Sequence, residues 1–444
     1  MDTTAKQNAV VSKVRRRLLP ILMLCYFAAF LDRVNIGFAA LTMNSDLQLT
    51  ATAFGTGAGL FFLGYVLCEV PSNLILARVG ARIWIARIMI SWGIVSACTA
   101  FVWSRESFYA VRVLLGAAEA GFFPGMLFYC TLWFPRAHRA RIYALVQIAV
   151  PISSVIGAPL SSVILTGLDG AAGLKGWQWL FIIEALPAVI MGVVVWFAMP
   201  SRPQDATFLS ASERATLTAM LAQERLARER EETFSVRQAM IDGRVWAMCV
   251  VALGLVIGTT GAAIWMPQIV RTFGLSTLQV GFVTAIPSLV SVAAILFCGW
   301  NADRTGARVA HVAVPFLVAG AGFVLAASTG SPVIGLLGLV IGTAGIGGGS
   351  PSVWVLPTAL LTGTASAAGL ALINASGSVG GFLGPFVIGW VRDATGSFAV
   401  SLLFLGGVMA ATAGVVILLG RRMRDVLSPT RFRALSASPE GIKP

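Results

Sequence analysis

Apolar runs, each long enough to cross a bilayer, recur along almost the whole chain of 444 residues. A membrane-spanning helix needs roughly 20 apolar residues, and lipid offers no hydrogen-bond partner to an exposed peptide group, so each run must be helical. Only 11% of the residues are charged, whereas a soluble domain has about a quarter. The fold class that follows is an all-α membrane protein.

The apolar runs predict twelve transmembrane helices in two six-helix halves. We place the spans at roughly 18–42, 53–77, 84–103, 106–130, 142–165, 179–199, 245–270, 278–300, 309–328, 332–359, 365–390 and 397–420. The chain then divides into an N-tail (1–17), a first bundle (18–199), a connector (200–243), a second bundle (244–420) and a C-tail (421–444). The connector is polar and rich in helix formers, so we predict that it is partly helical.

Basic residues are distributed unequally between the two sides of these spans. The tails, the segment 200–244 and the loops near 78–87, 135–141 and 301–308 share one side and hold 26 of the 32 Lys and Arg residues. The other side holds only Arg105, Lys175, Arg271 and Arg392. The positive-inside rule therefore predicts that both termini are cytoplasmic. The net charge of +13 therefore reflects topology and not nucleic-acid binding.

A short pattern recurs in the two halves. The loop after the second span reads Arg78-Val-Gly-Ala-Arg82, and the loop after the eighth reads Arg304-Thr-Gly-Ala-Arg308. Both are predicted to be tight turns at the cytoplasmic side. An internal repeat of this kind is typical of transporters whose binding site lies between the repeats.

Ionisable side chains occur inside the spans of the first half, where each costs several kcal/mol unless it is paired or faces water. They are Asp32, Arg33, Glu69, Arg112 and Glu119. Pairing between helices is one explanation, but buried ion pairs are weak stabilisers and apolar residues would serve as well. We therefore assign Asp32, Arg33, Arg112 and Glu119 to function.

Helix geometry gives these groups distinct directions. Arg112 and Glu119 share a helix face about 10 Å apart, and Gly116 between them leaves room for a ligand or a partner helix. Asp32 and Arg33 are adjacent and point about 100° apart, so one can face a cavity while the other faces a neighbouring helix.

Two other carboxyl groups have plainer interpretations. Glu69 lies near Pro71, so it either contacts a ligand or caps a helix that is broken at the proline. Glu184 lies near the end of the sixth span, and we interpret it as a wet helix end.

The four assigned side chains suggest a coupling scheme. Asp32 and Glu119 are candidates to take up a proton on one side of the membrane and release it on the other. Arg33 is a fixed cation that can bind an anionic substrate as a charge-assisted pair. Arg112 can neutralise Glu119, so that protonation frees or engages the arginine.

The second half has uncharged polar candidates. Asn374 and Ser378 share a helix face in the eleventh span, where the surrounding glycines permit close helix packing. Trp354 in the tenth span serves either as a cavity wall or in packing. Tyr65, one turn before Glu69, can hydrogen-bond a substrate.

Several classes of protein are disfavoured by what the sequence lacks. The six cysteines, at 25, 68, 98, 130, 249 and 298, all lie in apolar runs, so no disulfide framework or metal site is expected. The chain shows no P-loop, GxSxG or HExxH motif. We expect no cofactor and no enzymatic activity.

Long motifs resemble the anion:cation symporter family of the major facilitator superfamily. They are YFAAFLDRVNIGFA (26–39), FFLGYVLCEVPSNLIL (61–76), RVLLGAAEAGFFPG (112–125), GWQWLFIIEALPA (176–188) and LPTALLTGTASAAGLALINASGSVGGFLGP (356–385), with the loop motif from Asp303 to Arg308. The family includes permeases for tartrate, phthalate, galactonate and hydroxyphenylacetate. The first-half loop departs from the superfamily pattern, with Ala77 where an aspartate is usual.

The resemblance implies roles for individual residues. It implies proton coupling at Asp32 and Glu119, with Arg112 linking protonation to substrate. It implies that Arg33 binds the substrate carboxylate and that Tyr65 and Asn374 lie in the binding cavity.

The function expected is proton-coupled uptake of a small organic carboxylate by alternating access, driven by the proton gradient. The expected partners are the organic anion, protons and the lipid bilayer, and the expected state is a monomer. Export or neutral-sugar uptake on the same fold is the alternative, although two arginines near the midplane favour an anion. A membrane-embedded carboxylate sensor is more remote, since the tails are short.

Overall fold

The computed structural model describes residues 3–229, 241–360 and 363–422. These residues are almost entirely helical, and they form 12 helical spans long and apolar enough to cross a membrane. The prediction of an all-α protein with twelve spans is confirmed.

The helices follow one another in two groups separated by the connector. The first group is α1 (Thr3–Asp46), α2 (Ala51–Val79), α3 (Ala81–Cys98), α4 (Arg105–Glu119), α5 (Phe122–Trp133), α6 (Arg136–Gln147), α7 (Ala149–Gly167) and α8 (Gly176–Ala198). The connector contributes α9 (Ala211–Glu229). The second group is α10 (Gly243–Arg271), α11 (Thr277–Thr305), α12 (Ala310–Ala327), α13 (Pro332–Leu360), α14 (Gly363–Thr395) and α15 (Ala399–Arg422).

The two loops that share the Arg-x-Gly-Ala-Arg pattern turn at their glycines. Gly80 has φ of 97° and Gly306 has φ of 72°, a region that glycine adopts without the steric cost of a Cβ. Each glycine forms the C-cap of its helix, α2 or α11. The prediction of tight turns at these positions is confirmed.

The fourth span is broken, unlike the continuous span predicted for 106–130. α4 ends at Glu119, and α5 begins at Phe122 after Gly121, which has φ of 86°. Pro124 is tolerated in the first turn of α5, where backbone N–H groups need no helical partner. The Ser72 hydroxyl donates to the carbonyl oxygen of Ala120 at 2.7 Å. The break therefore has a polar partner from α2, and it follows directly on Glu119.

Helix α9 is attached to the first half by polar contacts. Lys13 of α1 lies 2.8 Å from Glu213, and Arg139 of α6 lies 3.2 Å from Glu224. The connector thus includes a helix that packs on α1 and α5.

The closest packing between the two halves lies toward one end of the bundle. We call the side with the loops 78–87, 135–141 and 301–308 the basic end. At the opposite end α1 packs on α10, α7 on α11, and α2 on α14. Gly37 is close enough to α10 that a Cβ would lie 2.6 Å from the Ile264 carbonyl oxygen. Gly281 of α11 packs directly on Ser162 of α7. The closest cross-half packing among the described residues thus lies away from the basic end.

Candidate functional site

An ion pair between α1 and α4 lies at the centre of the first half. The Arg33 guanidinium donates to a Glu119 carboxylate oxygen. The Glu119 side chain is 1% exposed, whereas that of Arg33 is 32% exposed. Oε2 of Glu119 has no hydrogen-bond partner among the described residues. The pair therefore has a buried anionic side and a cationic side that can be reached.

The Asp32 side chain points away from this pair, as predicted for adjacent residues on a helix. It is 3% exposed, accepts from the Ser96 hydroxyl of α3, and accepts from Asn35 Nδ2 at 3.1 Å. Asp32 therefore contacts a neighbouring helix, and Arg33 takes the exposed position.

Arg112 forms no direct ion pair with Glu119 in the described part of the chain. Its guanidinium is 5% exposed and donates to the Ala58 carbonyl oxygen at 3.5 Å, and no carboxylate lies within 4.0 Å of it in the described part of the chain. Gly116 packs on the backbone of Phe61, so the space between Arg112 and Glu119 holds α2 and not a ligand. Glu119 is paired instead by a residue of another helix.

Glu184 belongs to the buried polar groups, so its interpretation as a wet helix end is wrong. It is 1% exposed and lies more than two turns inside α8, which begins at Gly176. It accepts from the Ser161 hydroxyl of α7 at 2.7 Å, and Oε2 has no partner among the described residues. The full burial depends on how α7 packs against α8, for which the sequence has no local signal.

The neutral candidates lie along α2, α13 and α14. Asn374 Nδ2 donates to Glu69 Oε1 at 3.2 Å, linking the two halves, so Glu69 has a partner across the interface. The Ser378 hydroxyl donates to the backbone carbonyl of Asn374 at 3.2 Å. Tyr65 is 7% exposed and Trp354 is 37% exposed. Of these, the structure joins Asn374 and Glu69 directly.

The loop arginines are placed differently in the two halves. Arg308 donates to Asp303, and the Arg304 guanidinium lies 5.6 Å from the Trp300 ring centroid. Arg78 is exposed, and Arg82 is half-buried at the start of α3. The second loop therefore holds an ion pair between Asp303 and Arg308. The first loop cannot form it, because Ala77 stands at the position that matches Asp303.

Comparison with known proteins gives consistent results. The model of the Major Facilitator Superfamily matches residues 22–385. A protein of Agrobacterium vitis named as a tartrate transporter is 48% identical, over 94% of this chain and 95% of the relative. NicT of Pseudomonas putida, named as a metabolite transport protein, is 43% identical over 94% of this chain and 95% of its own length.

Two further comparisons widen the range. A protein of Acinetobacter baumannii named as a quinolone resistance transporter is 37% identical, over 91% of this chain and 93% of its own. A solved bacterial homologue of the human lysosomal transporter Spinster, in an inward-facing and unoccupied conformation, superposes with a TM-score of 0.72 at 17% identity. It covers 96% of this chain and 99% of that structure, which shows a shared fold.

The family match, the relatives and the twelve spans agree with one another and with the resemblance seen in the motifs. They indicate a multi-pass membrane transporter and not an enzyme. The chain belongs to the Major Facilitator Superfamily.

Proposed function

We propose that the protein is a proton-coupled symporter that imports a small organic carboxylate across the bacterial inner membrane. Both termini face the cytoplasm in this proposal, since the basic end belongs on that side. One observation carries it: the buried Glu119 is bonded to an arginine that is still partly exposed.

A proton and an anion each take the place of one partner in this pair, the proton at Glu119 and the anion at Arg33. When Glu119 takes up a proton, its bond to Arg33 loses the ionic component, and Arg33 becomes available for a substrate carboxylate in a charge-assisted bond. When the substrate leaves, Glu119 releases the proton and Arg33 returns to it. Anion binding thus requires protonation, which is the condition for symport.

The other polar groups support this exchange. Arg112 supplies a fixed positive charge in the interior, and Asp32, held by Ser96, is the second proton-coupling carboxyl. Tyr65, Asn374 and Trp354 contribute uncharged contacts from both halves.

Transport on this scheme requires the halves to rock about the site. Their packing at the end opposite the basic end supports an inward-facing arrangement here. Substrate uptake from outside then requires these contacts to open while the basic end closes.

The direct test is uptake into liposomes that contain the purified protein. L-tartrate is the first probe because of the name of the 48% identical relative, with galactonate, phthalate and 4-hydroxyphenylacetate as further probes. With an acidic exterior and a neutral interior, we expect labelled carboxylate to accumulate above its external concentration, and a protonophore should abolish this accumulation.

Variants separate coupling from binding. Glu119→Gln should lose accumulation on a proton gradient but retain exchange of labelled for unlabelled carboxylate. Glu106→Gln, at an exposed glutamate of the same helix, should match wild type. Wild-type accumulation by Glu119→Gln would disprove the coupling role, and thermal-shift hits confined to neutral sugars or cations would disprove the anion assignment.

Export is the second candidate, because a relative at 37% identity is named for quinolone resistance. An exporter that exchanges its substrate for protons concentrates that substrate in liposomes with an acidic interior. Accumulation of a quinolone in that direction, with no carboxylate uptake in the other, would favour export.

A further inference from the structure

One aromatic ring contacts both arginines of the site. The ring centroid of Phe61 lies 5.4 Å from Cζ of Arg33 and 5.3 Å from Cζ of Arg112. Both distances are within the range of about 6 Å for cation–π attraction. Phe30 adds a second ring 5.0 Å from Cζ of Arg33. Arg33 therefore has two kinds of partner, one carboxylate and two rings.

The position of Phe61 is fixed by close packing of α4 against the backbone of α2. Gly116 of α4 packs against the Phe61 carbonyl oxygen so closely that a Cβ there would clash. The Phe61 side chain is 3% exposed and also packs on Tyr65, with ring centroids 6.1 Å apart. The ring is therefore a fixed platform, whereas the two guanidiniums end flexible side chains.

The two cations repel each other, and among the described residues only Arg33 has a carboxylate within ion-pair distance. When Glu119 is protonated, Arg33 loses that ionic partner too. An arginine that is then free to move must lose conformational entropy when it captures an anion, which weakens binding. The rings do not titrate, so their attraction for Arg33 persists through the cycle.

We propose that Phe61 is a positioning residue for anion capture. It keeps Arg33 at the site while Glu119 is protonated, and it holds Arg112 beside it. The proposal deepens the proposed function, since it rests on Arg33 as the anion-binding group. It adds that the affinity for carboxylate depends on a residue that carries no charge and does not touch the substrate.

The first test compares variants that keep or remove the ring. Phe61→Met retains an apolar side chain of similar size but has no π face, and Phe61→Tyr retains the face. We expect the dissociation constant for L-tartrate, measured by calorimetry on the purified protein, to rise about tenfold in Phe61→Met, equivalent to 1.4 kcal/mol. Phe61→Tyr should stay within about threefold of wild type.

A matched control is Phe181→Met. Phe181 is 1% exposed in the same half, and its described ring contact is with Trp177 and not with an arginine. This variant loses an equally buried ring, so it reports the effect of repacking alone. Equal loss of affinity in Phe61→Met and Phe181→Met would overturn the proposal, as would equal loss in Phe61→Met and Phe61→Tyr.

A double-mutant cycle gives a readout that simple packing would not change. In Glu119→Gln the ionic partner is absent, so Arg33 relies on the rings. The Phe61→Met substitution should therefore weaken L-tartrate binding more in the Glu119→Gln background than in wild type. Additive effects of the two substitutions would contradict the proposal.

A second cycle needs no substrate and separates this proposal from the proposed function. Phe61→Met should lower the thermal stability of wild type more than that of Arg33→Met, because the second protein lacks the Arg33 guanidinium and keeps only Arg112 beside the ring. If wild type binds no carboxylate of the panel, the proposed function fails, and this cycle still decides whether Phe61 holds Arg33. Equal destabilisation in both backgrounds would overturn the positioning role.

Discussion

Replacing Asp393 by alanine should open the contact between the halves at the end opposite the basic end. The Asp393 carboxylate on α14 accepts from the backbone N–H groups of Ala51 and Thr52, at 3.0 and 2.7 Å, and from the Thr52 hydroxyl at 2.6 Å. These groups begin α2, so one half of the protein caps a helix of the other. Opening this end must break all three bonds.

The expected magnitude follows from the type of contact. The three bonds are exposed, so their worth is close to that of an ordinary helix N-cap, about 1 kcal/mol. The negative charge at a helix N-terminus adds about 0.5 kcal/mol. Losing about 1.5 kcal/mol changes the ratio of closed to open molecules by about tenfold, since 1.4 kcal/mol is a factor of ten.

Pulsed electron paramagnetic resonance measures that ratio directly. Nitroxide labels at Arg105→Cys in the first half and Ser328→Cys in the second lie at the relevant end, in a background whose accessible native cysteines are replaced. Asp393→Ala should raise the population with long label separations about tenfold over the otherwise identical protein. Asp393→Asn should have a smaller effect because the amide oxygen still accepts a hydrogen bond.

Asp46→Ala is the matched control. Asp46 lies at the same end and accepts from Trp177 Nε1 at 2.8 Å, but both residues belong to the first half. Its loss should leave the separation between halves unchanged. A distance distribution that is the same in wild type and Asp393→Ala would refute the capping argument.

Three further predictions concern stability. A side chain at Gly116 would clash with the backbone of α2, so Gly116→Ala should cost about 2 kcal/mol of stability and lower the melting temperature. Gly414→Ala places its methyl group in open space and should leave the melting temperature unchanged. Equal melting temperatures for the two variants would contradict the packing. Glu184→Gln keeps the shape of a buried side chain that has no cation partner among the described residues, so the melting temperature should not fall. A marked drop in the melting temperature would refute this expectation. The Lys13 hydrogen bond lowers the pKa of Glu213, so their contact stabilises α9 at neutral pH and is lost as the pH falls through the lowered pKa. Proteolysis of α9 should therefore be faster at that acidic pH than at neutral pH. Lys13→Gln should remove this dependence of the proteolysis rate on pH.

Local rules account for much of the architecture. Apolar run length predicts the twelve spans because bilayer thickness and the need to satisfy backbone groups allow little else. The repeated loops after the second and eighth spans predict two turns, and both have a glycine at positive φ. The different directions of Asp32 and Arg33 follow from helix geometry alone. Each of these conclusions needs only one helix and its solvent.

The sequence contains a local signal for the break in the fourth span. Gly121 is a residue type that often ends a helix, and Pro124 is one that often begins a helix. The apolar run continues through both, which favours one continuous span. In the structure, the Ser72 hydroxyl of α2 donates a hydrogen bond to the Ala120 carbonyl oxygen at the break. A local signal thus became a broken helix only with a partner from elsewhere in the fold.

The partners of the buried charges were decided by tertiary structure. The sequence left Arg112 as a candidate to neutralise Glu119, but in the structure Arg33 of α1 bonds to Glu119, while Gly116 admits α2 alongside Arg112. Burial of Glu184 likewise depends on α7 lying against α8. Sequence alone determined which residues carry charge into the membrane, because that cost is local. Which carboxylate meets which arginine depends on distances between helices, and only their packing sets those.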